Sequence, residues 1–183
     1  TAAARAVIDG AVSIGMSLDT CTVPGSPKED RIARGKAELG LGIHGEAGVE
    51  QVDFAGARAA MAMVLDRLAP HLGAGDHVAL LNNLGSTTPL EMSILAEELA
   101  RSPIGGRVRW MIGPAALMTS LDMHGFSVSL LPVDAAQVAA LAAPVGPHAW
   151  PGLAELAPVQ MRPLPDGLAP IQPVPSAHPA RRA

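Results

Sequence analysis

The pattern of hydrophobic and polar positions changes period several times within residues 1–143. Apolar and small residues alternate over 12–18, as they do in a half-buried strand, and they alternate again over 39–44. Apolar residues then recur at helical spacing over 54–68, before a stop at Gly73. The pattern therefore predicts the order strand, strand, helix, with the end of an earlier helix over 2–9.

Residues 77–142 carry clearer signals for where strands and helices begin and end. A buried strand is predicted at 77–84, and Thr88, Pro89 and Glu91 then form a capping box that begins a helix over 89–101. Two more strands are predicted at 107–112 and 126–131, and a short helix at 135–142. Because strands and helices mix without strict alternation, we predict an α/β fold of α+β character, in which a mixed sheet is covered by helices on one face.

Proline becomes frequent after residue 143, where the periodicity weakens. Ten of the 17 prolines lie between Pro144 and Pro179. Such a composition is typical of an extended linker. We therefore predict one domain over 1–143 and a proline-rich linker over 144–183.

The overall composition restricts the class of protein. Hydrophobic residues make up 49% of the chain and charged residues 16%, and no apolar run reaches the roughly 20 residues of a membrane span. The net charge of −4 comes without a basic stripe, which argues against nucleic acid as a partner. One cysteine, Cys21, cannot form an internal disulfide. We expect a soluble cytoplasmic protein, and the start at Thr1 leads us to expect a trimmed or processed chain.

The strongest candidate for chemistry is His44, which lies in a glycine-rich segment over 40–48. If the strand predicted at 39–44 is extended, Gly40, Gly42 and His44 share one face, and the glycines leave space in front of the imidazole. The alternative is a glycine-rich turn with a solvent-facing histidine. Spacing alone leaves both interpretations open.

Two other segments carry groups that could act in catalysis or binding. Residues 82–88 lead from a strand into a capped helix whose N–H groups could hold an anion, but the lysine of a phosphate loop is missing, so a turn and cap are favoured. Residues 119–125 hold a hydroxyl, a carboxylate and His124, yet neighbours on one loop rarely form a triad, and a turn formed by Asp122 and Gly125 is favoured. The histidines show no metal-ligand spacing, so no metal site is predicted.

Four segments in order resemble successive motifs of the substrate-binding subunit of dihydroxyacetone (glycerone) kinases. They are Ser-Leu-Asp-Thr-Cys-Thr-Val-Pro over 17–24, Glu-Leu-Gly-Leu-Gly-Ile-His-Gly-Glu over 38–46, Leu-Asn-Asn-Leu-Gly over 81–85, and Thr-Ser-Leu-Asp-Met over 119–123 with Gly-Phe-Ser over 125–127. The resemblance covers about 12–134, and four motifs in register are far more specific than any one. Two features depart from the family pattern: Ala47 stands where proline is usual, and the loop over 25–37 differs.

The resemblance implies a kinase that phosphorylates a terminal hydroxyl of a short ketose such as dihydroxyacetone or erythrulose. In that family the carbonyl is held covalently, as a hemiaminal, on a histidine that His44 matches. A neutral imidazole nitrogen can add to a ketone, whereas glycerol has no carbonyl to be captured.

The resemblance also implies that this chain is the second half of the substrate-binding region. The base would lie in an upstream domain, and ATP and magnesium would be bound by a further domain, so no cofactor or metal ligand is predicted here. Residues 150–182 resemble the linker of the fused, ATP-dependent form. We expect a fragment that is inactive alone, with a homodimer as one expected assembly.

Two other classes of function remain open from the sequence. One is a noncatalytic regulatory domain that uses His44 only to bind a carbonyl compound. The other is a hydrolase with Thr1 as its amino-terminal nucleophile, although an alanine-rich helical stretch follows where a buried strand would be expected.

Overall fold

The computed structural model describes residues 2–40, 48 and 50–156. Over these residues the chain forms one seven-stranded sheet and four α-helices. The helices are α1 (Ala2–Gly10), α2 (Ala57–Leu68), α3 (Pro89–Arg101) and α4 (Ala135–Leu141). The strands are β1 (Val12–Ser17), β2 (Lys36–Leu39), β3 (Glu50–Asp53), β4 (His77–Asn83), β5 (Val108–Ala115), β6 (Gly125–Pro132) and β7 (Leu153–Glu155).

The sheet is mixed, as predicted. Its strand order is β3-β2-β1-β6-β4-β5-β7, in which β4 and β5 are parallel and every other neighbouring pair is antiparallel. A parallel pair needs a long connection, and α3 supplies it between β4 and β5.

Alternation along β6 separates the two faces of the sheet. Phe126, Val128 and Leu130 are buried in the hydrophobic core. The serines between them, Ser127 and Ser129, are only partly buried and line a groove. The core face is covered by α2 and α3, which contribute the buried residues Met61, Val64, Leu65, Leu68, Met92, Leu95 and Leu99. Each such side chain contributes roughly 1.5–3 kcal/mol of burial free energy, so this layer holds the helices on the sheet.

The capping box of α3 is confirmed in atomic detail. The Thr88 hydroxyl accepts a hydrogen bond from Glu91 N at 3.3 Å, and the Glu91 carboxylate accepts one from Thr88 N at 2.8 Å. The predicted helices over 2–9, 54–68 and 135–142 correspond to α1, α2 and α4. The strands predicted at 12–18, 77–84, 107–112 and 126–131 correspond to β1, β4, β5 and β6.

The strand predicted at 39–44 is contradicted at Gly40. The observed strand β2 ends at Leu39, and Gly40 has a φ of 74°, a left-handed conformation that an extended strand does not adopt. The argument that Gly40 shares a strand face with Gly42 and His44 therefore fails at Gly40. Residues 41–47, including His44, lie outside the described residues. Strand β3 was not predicted, because its polar sequence Glu-Gln-Val-Asp carries a weak hydrophobic pattern.

The region predicted as a linker contains part of the sheet. Strand β7 pairs antiparallel with β5, and Leu156 N donates a hydrogen bond to Arg109 O at 2.8 Å. Residues 153–156 thus belong to the domain, contrary to a linker that starts at 144. An edge strand of three residues needs only backbone pairing on one side, so hydrophobic periodicity did not reveal it. The remaining residues, 157–183, lie outside the described part of the chain.

Candidate functional site

Three loops meet at one end of the sheet, and we call this arrangement the three-loop corner. The loops are residues 18–24 after β1, residues 84–88 between β4 and α3, and residues 116–124 before β6. They are joined by backbone hydrogen bonds from Leu18 N to His124 O (2.7 Å), Thr22 N to Leu121 O (2.8 Å), Ser120 N to Leu84 O (2.7 Å) and Ser86 N to Met123 O (3.0 Å). The structure therefore brings together three of the four motifs that the sequence presents far apart.

A buried amide, that of Asn82, fixes the longest of these loops to the sheet. Asn82 is 3% exposed. Its Oδ1 accepts hydrogen bonds from Leu117 N and Met118 N, each at 2.9 Å, and its Nδ2 donates to Met118 O at 2.8 Å. A buried polar group that lost such partners would cost about 1–3 kcal/mol. Asn82 thus sets where the 116–124 loop leaves the sheet.

Two glycines allow the loops to approach this closely. A Cβ on Gly85, whose φ is 156°, would lie 2.1 Å from Ser120 O. A Cβ on Gly125 would lie 2.4 Å from Met16 O. No other residue fits at either position without moving the backbone, which gives these motif glycines a packing role at the corner.

A groove with a volume of about 790 Å³ runs over the sheet face opposite α2 and α3. Its floor includes Ser13, Gly15, Asn82, Ser127 and Ser129, and its walls include Leu117, Met118, Pro147 and Trp150. The sheet strands therefore contribute three hydroxyl groups and the Asn82 amide to the groove beside apolar side chains such as Leu80, and the walls are apolar. A groove of this kind can accept a ligand or another polypeptide.

The glycine-rich segment leaves the sheet at the rim of this groove. Gly40 lines the groove and donates a hydrogen bond from its N to Gly15 O at 2.7 Å. The predicted site residue His44 follows four positions later, outside the described residues. The chain is described again at Gly48, whose N donates to the Glu38 carboxylate at 3.2 Å.

The carboxylate of Glu38, which Gly48 N contacts, is held in a charged state. The side chain is 3% exposed and receives hydrogen bonds from Arg31 Nε at 3.1 Å and Arg31 Nη2 at 3.1 Å. Burial raises the pKa of Glu38, but the hydrogen bonds from Arg31 and Gly48 outweigh burial and bring that pKa below its usual value. The same pairing with Glu38 raises the pKa of Arg31.

The interpretation of residues 82–88 as a turn and cap is confirmed. Asn83 Oδ1 accepts a hydrogen bond from Gly85 N at 2.9 Å, as in an Asx turn. The N–H groups of Thr88 and Glu91 are used within the capping box. The protein itself therefore occupies the N–H groups of Gly85, Thr88 and Glu91.

Residues 119–125 form a turn at Asp122, as predicted, while Gly125 already belongs to β6. Asp122 has a φ of 59°, and its carboxylate accepts a hydrogen bond from the Thr22 hydroxyl at 2.9 Å. His124 Nε2 lies 3.3 Å from Glu91 Oε1 on α3. Sequence reasoning did not anticipate this pair, because its members are 33 positions apart on different elements.

Two further observations concern metal-binding groups and membrane-spanning helices among the described residues. Within 2–40, 48 and 50–156, no three His, Cys, Asp or Glu side chains come together in a group that could hold a metal ion. No helix in the same residues is long and apolar enough to cross a membrane.

Comparison with known proteins identifies the family. Residues 1–149 match the model of the Dak1 domain. The chain is 38% identical over 143 residues to a dihydroxyacetone kinase of Citrobacter freundii, and 35% identical over 153 residues to a human triokinase/FMN cyclase. These matches cover 76% and 78% of this chain but 26% of each relative, so the chain spans about a quarter of their length.

Solved structures give the same result. The C. freundii dihydroxyacetone kinase in complex with AMP-PNP and Mg²⁺ superposes with a TM-score of 0.85 and 33% identity, over 96% of this chain and 33% of that one. A dihydroxyacetone kinase operon co-activator, Dha-DhaQ, superposes with a TM-score of 0.72 and 26% identity, over 80% of this chain and 47% of that one. The motifs, the fold and these matches agree: the chain belongs to the Dak1 domain family and is a homologue of dihydroxyacetone kinases.

Proposed function

We propose that this chain is the second half of the substrate-binding region of a kinase that phosphorylates a terminal hydroxyl of a short ketose, such as dihydroxyacetone or erythrulose. The observation that carries the proposal is that motif residues come together in two connected places. Three motifs meet in the three-loop corner, and Asn82, Leu84 and Ser127 from two of them line one groove together with Gly40 of the fourth motif, which contains His44. The names of the relatives, dihydroxyacetone kinase and triokinase, support the same substrate class.

In this proposal His44 captures the ketose covalently. A neutral imidazole nitrogen forms a bond to the carbonyl carbon, the C–O π bond breaks, and its electron pair takes up a proton while the imidazolium loses one. The product is a hemiaminal, so atoms and charge balance. Capture would hold the terminal hydroxyl in place for phosphoryl transfer, and it would select ketones over glycerol, which has no carbonyl.

The base, ATP and magnesium belong to other parts of a longer protein in this proposal. The described residues offer no cluster of carboxylates for magnesium, and the relative with AMP-PNP and Mg²⁺ is about three times as long as the part matched here. Residues beyond Leu156 would then act as the linker to the nucleotide-binding domain. Cytoplasmic location and a homodimeric assembly remain predictions.

The test of this proposal is His44→Ala in the full-length protein. Without the hemiaminal the ketose is held only by ordinary contacts, so we expect its affinity and the preference for ketone over glycerol to fall, while some phosphorylation survives. Crystals of the wild-type protein soaked in dihydroxyacetone should show continuous density between an imidazole nitrogen of His44 and the central carbon of the ketose. This chain alone should show no kinase activity.

The matched control is His71→Ala, because His71 is exposed in a short 3₁₀ helix after α2. It should leave affinity and preference unchanged. The covalent role of His44 would be refuted if the density is absent and His44→Ala keeps the wild-type affinity for the ketose and the wild-type preference for ketone over glycerol.

A second candidate function is a noncatalytic regulatory domain that binds a carbonyl compound through His44. The likeness to the operon co-activator favours it. The two candidates differ in a direct assay, since only the kinase phosphorylates a ketose with ATP in the full-length protein. The third possibility, a hydrolase with Thr1 as nucleophile, has no observation in its favour: Thr1 lies outside the described residues, and helix α1 begins at Ala2.

A further inference from the structure

A buried carboxylate on β2 connects three separate parts of the chain. Glu38 accepts hydrogen bonds from Arg31 in the preceding loop, from Gly48 N after the glycine-rich segment, and from Gln51 Nε2 on β3 at 3.4 Å. Arg31 is also tied to β3, because its backbone O accepts a hydrogen bond from Gln51 Nε2 at 2.9 Å. Glu38 is thus the centre of a polar cluster beside the glycine-rich segment.

The stability of the domain does not by itself account for this cluster. Burying the Glu38 carboxylate costs free energy of desolvation that its attraction to the partly exposed Arg31 only partly returns, and a well-packed apolar residue often stabilises such a position equally well. The hydrogen bond from Gly48 N has a different consequence. It ties the chain, on its return from the glycine-rich segment, to a fixed point on the sheet.

Gly48 also packs directly onto β2. A Cβ at Gly48 would lie 2.9 Å from Leu39 O and 3.0 Å from Glu38 Cβ, so only glycine fits there without a shift of the backbone. At the other end of the segment, Gly40 N is bonded to Gly15 O on β1 at 2.7 Å. Gly40 and Gly48 are therefore two anchors on the sheet, and His44 is four positions from each in the sequence.

We infer that Glu38, paired with Arg31, is a positioning residue that fixes the second anchor and thereby sets the place from which His44 reaches the ketose. This inference rests on the proposed function. Glu38 acts through the backbone at Gly48 and takes no part in the chemistry. The anchor and the capture of the ketose can be measured separately.

The first measurement is hydrogen–deuterium exchange of this chain with Glu38→Gln. The amide keeps the shape of the side chain but loses the charge that holds Arg31, so we expect faster exchange in peptides covering 45–50. The matched control is Glu98→Gln, which breaks an ion pair with Arg58 between α3 and α2, on the helix layer. The inference is overturned if exchange over 45–50 stays at the wild-type rate in Glu38→Gln. It is also overturned if exchange over 45–50 rises equally in the control.

The second measurement is ketose binding and turnover by the full-length protein. A misplaced His44 should weaken ketose affinity on the order of 10- to 100-fold. Any phosphorylation of glycerol by the full-length protein should stay at its wild-type rate, because it needs no capture. A purely structural role would lower both activities together, and that result also overturns the inference.

A second variant covers the case in which Glu38→Gln does not fold. Gly48→Ala leaves every charge in place but pushes the backbone away from Leu39 O, and it should reproduce the loss of ketose affinity. If exchange over 45–50 rises in Glu38→Gln, but both Glu38→Gln and His44→Ala keep wild-type affinity for the ketose, then the anchor at Gly48 is supported and the proposed function fails. If only His44→Ala loses affinity, the positioning role is refuted.

Discussion

Thr87 offers a direct test of how the three-loop corner is held. Its side chain is buried, and its hydroxyl donates a hydrogen bond to Gly125 O at 2.6 Å and accepts one from Gly125 N at 2.9 Å. Thr87→Val keeps the shape of the side chain and removes both bonds. Gly125 O still accepts a hydrogen bond from Leu84 N at 3.1 Å, whereas Gly125 N is left without that acceptor in a buried position.

The expected cost follows from these contacts. The lost bond to Gly125 O contributes about 1 kcal/mol, and a buried N–H without a partner costs about 1–3 kcal/mol, so Thr87→Val should lower the free energy of unfolding by about 2–4 kcal/mol. For a domain of this size the melting temperature should fall by roughly 5–12 °C.

Urea unfolding of this chain, followed by circular dichroism, measures the change. The matched control is Thr22→Val, which removes a hydroxyl bonded to Asp122 at an exposed position and should cost less than about 0.5 kcal/mol. A loss below about 1 kcal/mol in Thr87→Val would refute this account of the corner. In the full-length protein the same variant should also weaken ketose binding, because the loops at the groove rim would lose a fixed point.

Two further predictions concern pH and the carboxyl-terminal residues. Burial is the main cause that lowers the pKa of His77, which is fully buried on β4, so the unfolded chain binds the proton more readily. Stability should therefore fall as the pH drops below about 6.5, and His77→Leu should flatten this dependence in unfolding titrations while His71→Leu does not. In limited proteolysis with a nonspecific protease, the stable product should end at or beyond Leu156. Ala154→Pro removes a backbone donor in the edge strand β7 and should shorten that product, whereas a wild-type product ending near 144 would restore the predicted linker boundary.

Much of the fold could be predicted from the sequence because the signals are local. The capping box at Thr88 and Glu91 uses residues three positions apart, and it gave the start of α3 correctly. The alternation along β6 likewise gave its buried face. The four motifs, in their order along the chain, were enough to indicate the family, and residues 1–149 match its Dak1 domain.

Pairings between residues far apart in the sequence decided which further strands form and where β2 ends. Strands β3 and β7 are short and polar or exposed, so they exist because β2 and β5 offer them backbone partners. The end of β2 at Leu39 was missed because glycines alternate with apolar residues over 40–44 in the sequence, a pattern typical of a strand, whereas Gly40 itself has a positive φ.

Pairings between distant residues also decided how the candidate site is arranged. The sequence by itself determined which residue types are available: His44, the motif glycines and the polar side chains Asn82, Thr87 and Glu38. Only the tertiary structure decided that Asn82 holds Leu117 and Met118, and that Glu38 joins Arg31 to Gly48. The physical reason is that these hydrogen bonds form once the sheet has brought its strands together, and a pattern along the chain carries no record of such pairings.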